Sequence, residues 1–234
     1  MSAKGGPPII TDGLVLSLDA ANNKSYPGSG TVWTDLSNSG NNGTLVNGPT
    51  FNTLNGGNIV FDGSNDHISF PTGFISTLSG CTFTSWFLKT NLLHSRVFDF
   101  GVGQYQSVLL SSRAPDSSQI NNVPTFYIGV TSPNTQQGIN GVRPLLLNTW
   151  YNYTITLDGG RGIMYENGIE ISRNNNMSLT PINLGLTTNN WLARSQFSDP
   201  YFQGNISYFS IHNRVLTPAE VLQNYNAVKG RFQL

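Results

Sequence analysis

From Gly13 onward, short apolar runs alternate with clusters of turn-forming residues about every ten positions. This spacing is typical of β sandwiches and barrels, in which short strands are joined by tight turns. The clearest run covers 150–157, where one face carries a set of large apolar side chains: Tyr151, Tyr153, Ile155 and Leu157. Strict alternation of this kind indicates a strand with one face in a core.

The same pattern predicts strands along the rest of the chain. They cover 14–18, 44–46, 50–51, 58–61, 67–70, 81–89, 96–100, 107–111, 125–130, 150–157, 162–165, 169–172, 182–186 and 205–211. We expect a hairpin around the turn 62–66 and a three-stranded meander over 150–172, because Asn167-Gly168 tolerates positive φ at both positions. The run 81–89 carries aromatic residues on both faces, which predicts a strand covered on both sides.

One helix is predicted, near the C-terminus. Thr217 suits the N-cap, Pro218 the first helical position, and Glu220 completes a Thr-x-x-Glu capping box. A face formed by Val221, Leu222, Tyr225 and Val228 is expected to pack inward, and Gly230 to end the helix. One short helix closing an all-β chain is an unusual layout.

The predicted organisation is an N-terminal arm over residues 1–12 followed by a single domain over 13–234. Gly5-Gly6-Pro7-Pro8 disfavours regular structure in the arm. The arm is therefore either disordered or paired with a neighbouring subunit. The chain contains no internal repeat or low-complexity linker, and its length suits one large sandwich.

The charge content of the chain argues against some classes of binding partner. Only 10% of the residues are charged, and 12 basic and 12 acidic side chains cancel, whereas roughly 25% is usual for a soluble domain. Uncharged polar residues must therefore cover the surface. The chain has no basic run, so we expect it to bind neither nucleic acid nor an anionic membrane surface.

The segment 1–13 lacks the apolar stretch of a secretory signal, and no run approaches the ~20 apolar residues of a membrane span. We therefore expect synthesis in the cytoplasm without classical export. Cys81 has no partner in the chain and is predicted to be a small buried apolar residue.

Several segments resemble the concanavalin A-like lectin/glucanase superfamily, in its laminin-G-like and pentraxin-like branch. They are FDGSNDHISF (61–70), TFTSWFLK (82–89), NTWYNYTITLDGGRGIMYENGIEI (148–171) and FQGNISYFSIHNRVLTPAEVLQNYN (202–226). The resemblance implies an all-β fold, a two-sheet antiparallel jelly-roll sandwich with one short C-terminal helix. The opening segment 13–51 is similar to laminin-G-like proteins of tailed-phage virions, which implies a capsid decoration, a fibre or a tail-associated adhesin.

Catalytic chemistry has little support in the sequence. Glucanases of the superfamily use paired glutamates on one strand, but here Glu166 lies at a turn and Glu220 caps the helix. Retaining glycoside hydrolysis needs two carboxyl groups about 5–5.5 Å apart, so we expect no enzyme activity. The three histidines, His67, His94 and His212, lack the spacing of a zinc site.

Two kinds of ligand site remain open. The aromatic side chains of Trp33, Trp191, Tyr201 and Phe202 lie in loop-like segments, where they either stack on a sugar ring or fill the core or a subunit contact. Asp62 and Asp66 either share a calcium ion or act as turn residues in their loop. The acid-rich calcium loop of pentraxin-like relatives is replaced here by Thr187-Thr188-Asn189-Asn190. We therefore expect no required cofactor, with calcium as the open alternative.

Together these features favour a non-enzymatic structural protein of a phage virion that presents a lectin-like jelly roll. Its expected partners are other capsid or tail proteins, further copies of itself, and a host glycan. The alternative is a carbohydrate-binding module or adhesin that recognises a host surface polysaccharide.

Overall fold

The computed structural model of the protein describes residues 6–112, 123–131 and 134–234. Of Asn134 only the backbone is described. In chain order the strands are β1 (Leu14–Asp19), β2 (Val32–Trp33), β3 (Gly43–Val46), β4 (Thr50–Asn52), β5 (Asn58–Asp62), β6 (His67–Ser69), β7 (Cys81–Lys89), β8 (Arg96–Gly103), β9 (Gln106–Ser111), β10 (Thr125–Thr131), β11 (Asn134–Asn140), β12 (Trp150–Leu157), β13 (Gly162–Glu166), β14 (Ile169–Asn174), β15 (Asn189–Leu192) and β16 (Gln203–His212).

The strands form two antiparallel sheets that face each other across one core. The first sheet has the order β14-β13-β12-β7-β16-β5-β4, and β1 also pairs with β16. The second has the order β11-β10-β9-β8-β15-β6-β3-β2. This architecture, with one short helix, is the two-sheet sandwich expected of a jelly roll.

Alternating apolar side chains from both sheets meet between them. Tyr153 and Ile155 of β12 are fully buried there, as the alternation in the sequence predicts. Aromatic rings dominate the centre, where Phe83 of β7 stacks on Phe98 of β8 with ring centroids 5.2 Å apart. Burying each such ring contributes roughly 1.5–3 kcal/mol to the free energy of unfolding. Cys81 is also fully buried, and burial raises the pKa of its thiol.

The predicted hairpin around 62–66 is wrong. β5 pairs with β16 and β4 in the first sheet, whereas β6 pairs with β15 and β3 in the second. The turn therefore carries the chain from one sheet to the other. The meander β12–β13–β14, by contrast, forms as predicted.

Other strand assignments also differ from the prediction, and the short strand β2 was not predicted. The segment 182–186 is not a strand, because Pro181–Leu184 forms a 3-10 helix that begins at a capping box on Thr180. The neighbouring strand β15 was not predicted, although it joins β8 to β6 in the second sheet. β11 was also missed, since its sequence NTQQGIN has few apolar residues.

The C-terminal helix α1 (Pro218–Val228) begins as predicted. The backbone amide of Glu220 donates to Thr217 Oγ1 over 3.3 Å, and Thr217 N donates to Glu220 Oε2 over 2.8 Å. The predicted inward face is partly wrong, because Leu222 is exposed while Asn224 is buried. The helix ends at Val228 and a 3-10 turn through Gly230 follows.

Helix α1 and the segment after it cover the outer face of the first sheet. The indole of Trp86 on β7 stacks between Tyr225, 5.5 Å away, and Phe232, 4.5 Å away, measured between ring centroids. β7 is thus covered on both sides, as its aromatic pattern predicts. Within the described residues, no helix is both long and apolar enough to cross a bilayer.

Residues 6–12 have no regular structure, but they pack against their own domain. Asn224 Oδ1 accepts a 2.8 Å hydrogen bond from Ile10 N, and His212 Nε2 lies 2.9 Å from Ile10 O. Ile9 and Ile10 also pack against apolar residues beneath the helix. This finding differs from the expected disordered or neighbour-pairing arm, of which residues 1–5 lie outside the described residues.

Candidate functional site

The connection between β15 and β16 is a compact loop over residues 193–202, here called the 193–202 loop. Its base is closed by a 2.9 Å hydrogen bond from Phe202 N to Ala193 O, and Ala193 N donates to Val97 O of β8 over 3.0 Å. Ala193 has a φ of 67°, a left-handed conformation that costs a non-glycine residue about 1–2 kcal/mol. Such backbone strain is often found at binding sites, so the loop is a candidate part of one.

The loop is fixed onto the outer face of the second sheet. The backbone amide of Gln196 donates a 3.0 Å hydrogen bond to Asp99 Oδ2, and its side chain donates to Asn189 O over 3.0 Å. Ser195 Oγ donates to Asp199 Oδ2 over 3.0 Å inside the loop. These bonds hold the loop against β8 and β15.

Strand register places four outward side chains in one row beneath and beside the loop. Tyr127 is paired with Leu109, Leu109 with Asp99, and Asp99 with Trp191. Their chain neighbours point into the core, so these four side chains lie on the outer face. The loop crosses the row at Asp99 and divides the face into two parts.

The first part, the aromatic platform, comprises Trp191, Arg194, His67 and Tyr201. The guanidinium carbon of Arg194 lies 4.1 Å from the Trp191 ring centroid, and Arg194 Nη1 lies 3.3 Å from His67 Nε2. The His67 ring contacts Trp191 and Tyr201, with centroid distances of 6.5 and 6.1 Å. Trp191, Arg194 and Tyr201 are half-buried, so the platform combines ring surface with accessible donors.

The second part, the Phe197 pocket, is a cavity of about 170 Å³. Leu109 forms its floor, the half-buried rings of Tyr127 and Phe197 form two walls, and its remaining lining comes from His94, Arg96, Ser111 and Thr125. Phe197 is held by contact with the ring of Tyr105, 5.5 Å away between centroids.

A nearly neutral group of ionisable side chains lies at one end of this pocket. Arg96 Nη2 is 2.8 Å from Asp199 Oδ2, and His94 Nδ1 is 3.2 Å from Asp199 Oδ1. Burial lowers the pKa of His94 and raises that of Asp99 to about 7. Burial alone would raise the pKa of Asp199, but the hydrogen bond from His94 and the charge of Arg96 outweigh it, so that pKa falls.

The sequence-predicted aromatic residues separate into two groups. Trp191 and Tyr201 meet at the platform through His67. Trp33 and Phe202 have no exposed surface, because both point into the core. This corrects their assignment as sugar-stacking residues, since a buried ring cannot receive a ligand. Both side chains fill the core, which was the other possibility for them.

Asp62 and Asp66 lie in the turn that adjoins the platform. Asp62 Oδ1 accepts a 2.8 Å hydrogen bond from Ser64 N, and Asp66 Oδ2 accepts from Asp62 N over 3.2 Å. The bond from Ser64 lowers the pKa of Asp62, while burial raises that of Asp66. Both carboxylates thus hold the turn together, and calcium binding by this pair stays a prediction.

Within the described residues, no three His, Cys, Asp or Glu side chains come together as a metal site would require. The glutamates have structural partners. Glu166 pairs with Arg143 and Tyr153, Glu170 with Arg173, and Glu220 with Arg214.

Sequence reasoning missed Tyr127, Phe197, His67 and Arg194 as members of the face. Tyr127 lies in a predicted strand, and its outward direction follows from Phe126 and Ile128 pointing inward. The other three are brought together by the pairing of β15 with β6 and by the 193–202 loop. Only the rise in aromatic residues over 191–202 signalled this segment.

A family model described as the concanavalin A-like lectin/glucanases superfamily (Laminin_G_3) matches residues 62–222, more than half of the chain. No curated protein matches the chain in sequence.

Several solved structures share the fold at low sequence identity. Domain 4 of AbnA, a GH43 extracellular arabinanase from Geobacillus stearothermophilus in complex with arabinotriose, is 18% identical, with a TM-score of 0.70 over 91% of this chain and 98% of that chain. The binding domain of botulinum neurotoxin DC in complex with SialylT is 15% identical, with a TM-score of 0.70 over 94% of this chain and 52% of that one. Trypanosoma rangeli sialidase is 14% identical, with a TM-score of 0.66 over 96% of this chain and 36% of the enzyme.

Proposed function

Because this chain belongs to the concanavalin A-like lectin/glucanase superfamily, we propose that it is a binding domain that recognises carbohydrate through the outer face of its second sheet. The single observation that carries the proposal is the convergence of the aromatic platform and the Phe197 pocket on that face, on either side of the 193–202 loop.

The surface chemistry of this face suits a sugar. A pyranose or furanose ring has apolar C–H surfaces that pack on aromatic rings and hydroxyl groups that need hydrogen-bond partners. Trp191 and Tyr201 supply half-buried ring surface, and Arg194 supplies several N–H donors beside them. Binding sites of this kind combine apolar surface with a few placed polar groups.

The low charge of the chain favours an uncharged glycan. Formal net charge is zero and only 10% of the residues are charged, so there is no field to draw an anionic polymer to the surface. Arg96 is already paired with Asp199 over 2.8 Å, so the charge near the pocket is largely cancelled.

One structural neighbour adds support. The match to domain 4 of the arabinanase covers 98% of that chain, and that domain was solved with arabinotriose bound. The likeness concerns the whole domain and not a fragment. At 18% identity this likeness supports the fold alone. The proposal that this chain binds carbohydrate rests on the residues of its own outer face.

Binding without catalysis agrees with the placement of the three glutamates. Retaining or inverting hydrolysis needs two free carboxyl groups facing one cleft. Glu166, Glu170 and Glu220 are each engaged by an arginine, and Glu220 also caps α1. A reducing-sugar assay on arabinan, xylan and β-glucan is therefore expected to show no product.

The direct test is a glycan array followed by calorimetric titration of the best oligosaccharide. We expect saturable binding that Trp191→Ala weakens at least about fivefold, since truncating an aromatic side chain that anchors a ligand costs about 1 kcal/mol or more. Leu54→Ala, which truncates a side chain that is 67% exposed and lies outside this face, is the control. A flat array, or equal affinity for Trp191→Ala and wild type, would contradict the proposal.

We further propose that the domain serves as a structural protein of a phage virion, on the capsid or tail, and that the glycan is a host surface polysaccharide. The support is the similarity of residues 13–51 to laminin-G-like virion proteins. The packing of residues 6–12 on helix α1 leaves that segment less free to join another virion protein than the sequence suggested. Attachment is therefore better sought on other surfaces.

The virion role has its own test. Its gene is expected among capsid or tail genes, and peptides of the chain are expected in mass spectra of purified particles. A gene placed among polysaccharide-degrading enzymes, with no such peptides in particles, would contradict the virion role and leave the carbohydrate proposal standing.

A further inference from the structure

We propose that the Phe197 pocket receives a methyl-terminated substituent of the bound sugar, such as the methyl group of an acetamido or of a 6-deoxy sugar. This inference rests on the proposed carbohydrate function and specifies the class of sugar. The pocket lies on the same face as the aromatic platform, at the other end of the row Tyr127–Leu109–Asp99–Trp191.

The size of the pocket limits what can enter. Its volume is about 170 Å³, below the ~300–1,000 Å³ of sites that enclose drug-sized ligands. A chain of sugar rings cannot be enclosed in this space, whereas one ring edge or one substituent can. The pocket is therefore suited to reading a single group on a longer ligand.

The lining favours an apolar group. Leu109 is only 4% exposed and forms the floor, and the rings of Tyr127 and Phe197 form the walls. A hydroxyl group placed against Leu109 and Phe197 would lose its water without gaining a hydrogen-bond partner from either side chain, which is unfavourable. A methyl group at the same place gains apolar burial instead.

Polar groups line the pocket beside Leu109, and Ser111 is as deeply buried as that leucine. Thr125 Oγ1 makes a 3.0 Å hydrogen bond with Asn140 Oδ1, and Ser111 lies beside it on the neighbouring strand. Since a hydroxyl has two acceptor lone pairs and one donor, Thr125 can still accept from an amide N–H. An acetamido group matches this arrangement, because its N–H lies on the same side of the planar unit as its methyl group, so the methyl can contact Leu109 while the N–H donates to Thr125.

The distance between the two parts of the face defines the ligand further. Tyr127 and Trp191 are separated by three strand spacings, roughly 14 Å at ~4.8 Å per strand. A single monosaccharide cannot contact both. We therefore expect an oligosaccharide whose one residue lies on the platform while the substituent of another enters the pocket.

Two matched pairs of sugars test the inference. Chitotetraose and cellotetraose differ only in the acetamido or hydroxyl group at each second carbon, and an L-fucosyl oligosaccharide and its L-galactosyl counterpart differ only in the methyl or hydroxymethyl group at the sixth carbon of that residue. Since one methyl-sized group in an apolar pocket changes affinity by about 10–200-fold, the methyl-bearing member of at least one pair is expected to bind about tenfold tighter. The pair that discriminates identifies the substituent, and equal affinities within both pairs would overturn the inference.

Variants separate this inference from the function it rests on. Leu109→Thr keeps a strand-forming residue but puts a hydroxyl on the floor, and is expected to weaken binding of the methyl-bearing member about tenfold, so that discrimination within the pair is lost. Trp191→Ala is expected to weaken both members equally. Leu54→Thr, at a leucine that is 67% exposed, is the control.

A measurement on the wild-type protein covers the case in which Leu109→Thr does not fold. In saturation-transfer NMR, the methyl protons of the preferred sugar are expected to receive the strongest saturation, and Phe197→Ser is expected to reduce it. Stronger saturation of the ring protons than of the methyl protons would contradict the inference. If no sugar binds at all, the proposed function itself fails.

Discussion

Arg194 lies over the ring of Trp191, with its guanidinium carbon 4.1 Å from the centre of the indole ring. A cation over an aromatic face at an accessible site contributes ~0.5–1 kcal/mol, and His67 Nε2, 3.3 Å from Arg194 Nη1, also holds the side chain. The guanidinium is therefore fixed beside the ring instead of extending into water. A ligand that reaches the platform meets ring edge and N–H donors together.

The first prediction concerns this pair. Arg194→Ala is expected to lower oligosaccharide affinity about 3- to 10-fold, because one or two hydrogen bonds of ~0.5–1.5 kcal/mol each are lost. Arg194→Lys keeps the charge but not the planar donor group and is expected to restore little of that loss. Calorimetric titration measures both. Tighter binding by Arg194→Ala would mean that the guanidinium only obstructs the ring.

The second prediction concerns the pH dependence of stability. Burial raises the pKa of Asp99 to about 7 in the folded protein, compared with ~3.9 in an unfolded chain. The folded state thus holds a proton that the unfolded state releases, so the stabilising contribution is present below pH 4 and is lost as the pH rises to about 7. Asp99→Asn is expected to become more stable relative to wild type over this range, by roughly 2–4 kcal/mol.

Urea titrations at pH 4 and pH 8 measure this effect. The Asp99 carboxyl faces the guanidinium of Arg96 and the backbone amide of Gln196. The guanidinium, on the same strand, lies 4.0 Å away, and the amide, in the loop, donates a 3.0 Å hydrogen bond. His94 and Asp199 titrate in both proteins, so their contributions cancel in the difference. A difference in stability that stays constant between the two pH values would show that Asp99 is ionised throughout.

The third prediction concerns the start of helix α1. Thr217→Ala removes the acceptor of the Glu220 amide, 3.3 Å away, and is expected to cost about 1 kcal/mol. Thr217→Ser keeps the cap and serves as the control. Chemical unfolding of the three proteins checks this, and an unchanged midpoint in Thr217→Ala would show that the helix is held by its packing alone.

The fourth prediction concerns the docking of the N-terminal segment. Asn224→Ala leaves the half-buried Ile10 amide without its 2.8 Å acceptor and is expected to cost about 0.5–1.5 kcal/mol, the usual net contribution of one hydrogen bond. Gln223→Ala removes only an exposed bond to Pro8 and is expected to cost less than about 0.5 kcal/mol. Amide hydrogen exchange at Ile10 should rise in the first variant and not in the second. Equal exchange in both would indicate a segment that is detached in solution.

The elements that could be predicted from the sequence are those set by local chemistry. The capping box at Thr217 and the alternation in β12 each act within a few residues, and both formed as expected. The pairing of β5 and β6 could not be predicted in this way. A turn such as 62–66 can close a hairpin or cross between sheets, and the choice depends on partners such as β16 that lie far along the chain.

The candidate site shows the same division. Tyr201 and Phe202 are neighbours in one loop, yet Tyr201 joins the platform while Phe202 packs against Phe61 and Phe87 in the core. From the sequence alone both are aromatic residues of a loop. The direction of the chain at the base of the loop decides that one side chain points outward and the other into the core. Tyr127 was missed for the converse reason, because it lies within a strand and its role depends on the loop residue Phe197 above it.

The hydrogen bond that joins Phe202 N to Ala193 O closes the 193–202 loop at its base, between the end of β15 and the start of β16. Under the proposed function, changes to loop residues that do not bond to β8 or β15 are expected to alter what the surface recognises without disturbing sheet pairing. The same scaffold can therefore acquire new preferences by exchange of this one segment, in natural divergence or in a library of grafted sequences.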